Sequence, residues 1–131
     1  MMTDKVFIPE YSWSVKVIYD FTCDMISVLK AELSEMGCSA EYMDKMSDNM
    51  GSCRKNTGFT YSSLKSRASL VVIYDTSDFG EFVNTLVHEC CHVCVHIKKM
   101  FGIDMTEEEF CYMIGDLSER LSGIIMDKAR R

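Results

Sequence analysis

No run of apolar residues in this sequence is long and uninterrupted enough to cross a bilayer, which excludes a transmembrane helix. Positive charge is scarce: 14 Lys and Arg stand against 20 Asp and Glu, for a net charge of −6. That balance favours neither nucleic acid nor an anionic membrane surface as partner. The basic clusters are Lys98-Lys99 and Arg130-Arg131, too short to read as docking patches. Proline is almost missing, with Pro9 alone near the start, and there is no internal repeat or low-complexity tract. The opening MMTDKVFIPEYSW lacks the basic start, apolar stretch and small-residue cleavage site of a secretory signal, so a cytoplasmic location is expected. The seven cysteines lack paired zinc-ribbon spacing. In a reducing compartment they are expected as free thiols, most of them small buried hydrophobes, without a disulfide framework.

What is present suits one domain over residues 1–131, with 47% apolar and 26% charged residues. Residues 12–19, SWSVKVIY, alternate Trp13, Val15, Val17 and Tyr19 against Ser12, Ser14 and Lys16, the period of a half-buried strand. Phe21, Met25, Leu29 and Leu33 then recur at helical spacing until Gly37. A shorter helix is expected over 40–50, with Met43, Met46 and Met50 on one face as adaptable packing. Residues 51–58, GSCRKNTG, read as a loop. FTYSS and RASLVVIYD read as an antiparallel pair, the second strand carrying a continuous apolar run suited to burial on both faces. Two long helices follow. Asp78 with Glu81, and Thr106 with Glu109, stand in capping-box spacing, and Gly102 separates the helices. The expected class is α+β, with a small antiparallel sheet packed on helices.

All three histidines lie in NTLVHECCHVCVHIKK, residues 84–99. At about 100° per residue, His92 lies near 40° and His96 near 80° from His88, with Glu89 near 100°. Leu86, Cys90, Val93, Cys94 and Ile97 form an apolar face elsewhere on the helix. Burying four ionisable groups without partners is costly, and one bound cation accounts for them together. HECCH is the H-E-x-x-H pattern. Two histidines at i and i+4 reach one zinc ion, and the glutamate between them takes a proton from a water that the metal polarises.

Two histidines leave a catalytic zinc one protein ligand short. His96 lies about 12 Å along the axis from His88, which suits a residue beside the substrate better than a ligand. Glu107, Glu108 and Glu109 are the other candidates. Acidic residues in a first helical turn also suit the macrodipole without any metal, and Glu109 is used by its cap. Glu108 shares a stripe with Cys111, Tyr112 and Gly115. A mid-helix glycine suggests close approach of a neighbouring backbone. Glu108 is therefore the third ligand chosen.

The segments TLVHECCHVCVHI and GIDMTEEEFCYMIGDL together resemble the gluzincin metallopeptidases in a compact single-domain form. They are similar in particular to small zincin-like proteins encoded by phages and prophages of gut bacteria. There, H-E-x-x-H is followed by a Glu-x-x-x-Tyr-x-x-Gly pattern, matched here by Glu108, Tyr112 and Gly115. The resemblance covers residues 84–117 and extends to LVVIYD and GFTYS as the strands before the helix. It implies a zincin-like fold, Zn2+ held by His88, His92 and Glu108, and Glu89 as general base. It also implies hydrolysis of a peptide or protein substrate lying along an edge strand. Larger gluzincins have a further domain that supplies an oxyanion-stabilising His or Tyr; here Tyr112 and His96 are the nearby substitutes. The rival readings are a closed structural zinc in a binding protein of phage–host biology, with Cys91 or Cys111 as fourth ligand, and a metal-free helical core.

Overall fold

The computed structural model describes residues 1–50 and 54–131, excepting the side chains of 48–50. Four strands form one sheet: β1 (Met2–Ile8), β2 (Trp13–Phe21), β3 (Gly58–Ser63) and β4 (Ala68–Tyr74), in the order β1-β2-β4-β3. Five helices accompany them: α1 (Ile26–Glu35), α2 (Ala40–Met50), α3 (Phe79–Phe101), α4 (Glu107–Arg120) and α5 (Ser122–Ala129). The class is α+β, but the sheet is mixed. β1 with β2 and β3 with β4 are antiparallel, whereas β2 and β4 run parallel. This corrects the all-antiparallel expectation, and the apolar run of β4 supplies the reason. Leu70, Val71, Val72 and Ile73 are all buried, so β4 belongs at the sheet centre with helices on both faces.

The two faces carry separate cores. Trp13, Val15, Val17 and Tyr19 of β2 join Val71 and Ile73 of β4 under α3, α4 and α5. Ile18, Leu70 and Val72 face the opposite way, onto Leu29 and Leu33 of α1 and Met46 of α2. Met50, expected on that methionine face, has a side chain outside the described part. Near the end of β2 the register shifts between Ile18 and Phe21, where Asp20 adopts φ 54°. The extra residue turns Phe21 toward the α1 side. β1 was not expected as a strand, because MTDKVFI is largely exposed and has no apolar alternation.

The caps follow the sequence. Asp78 Oδ1 accepts the Glu81 amide N–H at 2.8 Å and starts α3; Gly102, at φ 60°, ends it. Thr106 and Glu109 form the full capping box of α4. The second of the two long helices expected is divided at Leu121 into α4 and α5. Among the described cysteines, Cys38, Cys90, Cys91, Cys94 and Cys111 are free. Cys23 is disulfide-bonded, which corrects the expectation of free thiols throughout. It sits in the short turn after β2, beside Lys55 and Asp75, where loops from distant parts of the chain converge. No helix among the described residues is long and apolar enough to cross a membrane.

Candidate metal centre

α3 lies across β3 and β4 with Phe82, Leu86, Cys90, Val93, Cys94 and Ile97 in the core. One side of the helix therefore overlooks β3, a strand at the sheet edge. His88, Glu89 and His92 offer ligand atoms that all lie within 4.8 Å of one another, so this group could hold a metal ion. The Nε2 atoms of His88 and His92 are 3.2 Å apart. Two nitrogens about 2.0–2.1 Å from one tetrahedral ion stand about 3.4 Å apart, so the spacing fits shared coordination.

Glu89 differs from the two histidines. It is 3% exposed, while the His88 side chain is 65% exposed. The argument from buried charge thus applies to Glu89 and not to His88 or His92. Thr60 of β3 donates its hydroxyl to Glu89 Oε1 at 2.7 Å. The other oxygen, Oε2, lies 4.0 Å from His88 Nε2. Gly58 makes this approach possible: a Cβ there would stand 2.9 Å from Glu89 Cγ and 3.0 Å from Thr85 Cγ2. A cavity of about 310 Å3, bounded by Asn56, Thr57, Gly58, Asn84, His88 and Glu89, opens beside the group.

Gly58, Thr60 and Ser62 alternate along β3 and meet α3 in succession. Ser62 Oγ lies 2.8 Å from His96 Nδ1. Sequence reasoning singled out His96 but missed these three partners. Their signal was the period-two run of small and polar residues in GFTYS, which marks one face of a strand that a helix approaches closely. Burial, and then the positive charges of His92 and Lys99, lower the His96 pKa.

Glu108 is not brought to this group. α4 packs beside α3, with Lys98 Nζ 5.8 Å from the Phe110 ring centre. Glu108 is absent from the residues whose ligand atoms converge with those of His88 and His92. It is exposed, as are Glu107 and Glu109. The face argument that selected it also fails. A Cβ on Gly115 would meet nothing within 4 Å, and Tyr112 is 71% exposed. α4 packs instead through Phe110, Met113, Ile114 and Leu117. Tyr112 borders a different cavity, with Ile8 and Tyr11, on the β1 side of the sheet. Cys91 and Cys111 do not join the group either.

No family model, curated protein or solved structure matches this chain.

Proposed function

We propose that the chain is a zinc-dependent peptidase of zincin type, in which His88 and His92 hold the ion and Glu89 handles the proton of the attacking water. The observation that carries this reading is the 3.2 Å spacing of the two Nε2 atoms directly beside a buried carboxylate. When bound, zinc polarises a carbonyl and lowers the pKa of a water to about 7. Glu89 is restrained for proton transfer: Thr60 occupies Oε1, leaving Oε2 toward His88 and the open cavity. The exposed histidines leave coordination positions free for water and substrate. The outer edge of β3, unpaired among the described residues and next to α3, suits an extended peptide added as a further strand.

A second reading is favoured by one observation. The described residues provide two histidines and Glu89 but no further protein ligand. An exposed two-histidine site is also completed by a donor from another macromolecule, which would make the protein a zinc-bridged binding partner. The closed structural zinc has no such support, because no cysteine stands in the group.

Hydrolysis of a mixed peptide library by zinc-loaded protein, compared with Glu89→Gln, tests the first reading. Cleavage by the parent and a loss of at least about 100-fold in the variant, at equal zinc content, supports it. No cleavage by the parent, or undiminished cleavage by Glu89→Gln, overturns it.

A further inference from the structure

We propose that the cavity between β3 and the C-terminal half of α3 is a subsite for a carboxylate-bearing residue of the substrate, held by His96 Nε2–H and the Lys99 ammonium. The word substrate rests on the peptidase reading; the binding chemistry does not. The cavity has about 210 Å3 and is bordered by Tyr42, Thr60, Tyr61, Ser62, His96 and Lys99. Thr60 belongs both to this cavity and to the Glu89 hydrogen bond, so the cavity adjoins the metal group.

A hydrogen-bond chain from the core leads to His96. The Trp13 indole N–H, which can only donate, meets Ser69 Oγ at 2.9 Å. Ser69 Oγ is 2.7 Å from Ser62 Oγ, and Ser62 Oγ is 2.8 Å from His96 Nδ1. Donation from Trp13 to Ser69 to Ser62 to His96 lets each hydroxyl accept one bond and donate one. The reverse order leaves the hydrogen of Ser69, a residue 1% exposed, without an acceptor among the described residues. An unmade buried hydrogen bond costs about 1–3 kcal/mol, so Ser69 donates to Ser62. The proposal takes Ser62 as the donor to Nδ1, in which case the neutral ring carries its proton on Nε2.

Lys99 forms no ion pair with any described residue. Among the described residues no acidic side chain borders the cavity, so its charged lining is the Lys99 cation. Tyr42 and Tyr61, with ring centres 5.3 Å apart, give the apolar wall that the stem of an acidic side chain needs. His96 lies one turn beyond His92, about 6 Å along the axis. Two residues of extended peptide span roughly 6.6 Å, so the acidic residue falls about two positions from the scissile bond.

The test uses zinc-loaded Glu89→Gln protein and alanine hexapeptides carrying one glutamate, walked through all six positions, each with its glutamine counterpart. At least one glutamate peptide should bind about tenfold tighter than its counterpart, and Lys99→Met should abolish the difference. Long-range nitrogen–proton spectra should show His96 as the Nε2–H tautomer, with Ser62→Ala shifting the tautomer balance. No glutamate peptide binding better than its counterpart overturns the proposal, as does a preference that survives Lys99→Met. Both outcomes are read from binding. A parent protein that cleaves peptides without acidic preference sinks the subsite alone, and one that prefers acidic peptides without cleaving any sinks the peptidase reading alone.

Discussion

His88 and Glu89 are sequence neighbours with opposite environments: the imidazole stands in solvent and the carboxylate is buried against β3, with His88 Nε2 and Glu89 Oε2 4.0 Å apart. Adjacent positions on a helix differ by about 100°, which places one residue at the rim and the other under the edge strand. The three residues that converge, His88, Glu89 and His92, all belong to α3, with β3 supplying the partner of Glu89. None of the three comes from α4.

Glu108→Ala is accordingly expected to leave zinc stoichiometry and affinity unchanged within about twofold, and the same holds for Glu107→Ala. Titration with a competing chelator measures this. A large loss of affinity in Glu108→Ala would show that α4 reaches the histidines, contrary to the three residues that converge.

Two glycines give opposite expectations. Gly58→Ala places a methyl group 2.9 Å from Glu89 Cγ and should cost about 1–3 kcal/mol of stability while weakening zinc binding. Gly115→Ala enters open space in a helix interior and should stabilise by roughly 0.5–1 kcal/mol. Urea denaturation of the two variants checks both signs.

The same pair shows what the sequence could tell. Helical spacing was enough to find α3, its caps and the His88, Glu89, His92 group, because these features are local to one element. The third ligand was a question of tertiary level, and a 23-residue α3 carries the turn at Gly102 well past the histidines. A mid-helix glycine reads as a contact glycine, yet Gly115 stands in open space, and the letter is the same in both cases. β1 escaped notice because an exposed edge strand needs no apolar alternation, and its pairing with β2 is through the backbone. Parallel pairing of β2 with β4 is set by distant segments, so only the two-sided burial of Leu70 to Ile73 hinted at it.

Stability should fall at alkaline pH. The Tyr19 pKa is pushed up to about 12, first by burial and then by its 2.8 Å hydrogen bond to Asp127 and that carboxylate's charge. The folded value exceeds the unfolded value of about 10, so the unfolded chain releases the proton first. The contribution is whole below about pH 10 and is lost as pH rises toward about 12. Denaturation midpoints between pH 8 and 12 should decline less steeply in Tyr19→Phe. Tyr74, likewise raised to about 12 by burial and the charge of Glu89, retains part of the slope. An identical decline in parent and variant would contradict the assignment to Tyr19.

The most direct measurement is zinc content with X-ray absorption, on protein purified without an affinity tag. The parent should hold about one zinc per chain, with nitrogen and oxygen neighbours at about 2.0–2.1 Å and no sulfur near about 2.3 Å. The His88→Ala/His92→Ala double variant should hold none while keeping its circular dichroism, since both side chains are exposed. Full zinc occupancy in the folded double variant would contradict a metal centre at His88 and His92, and a zinc–sulfur shell in the parent would contradict the open site that hydrolysis needs.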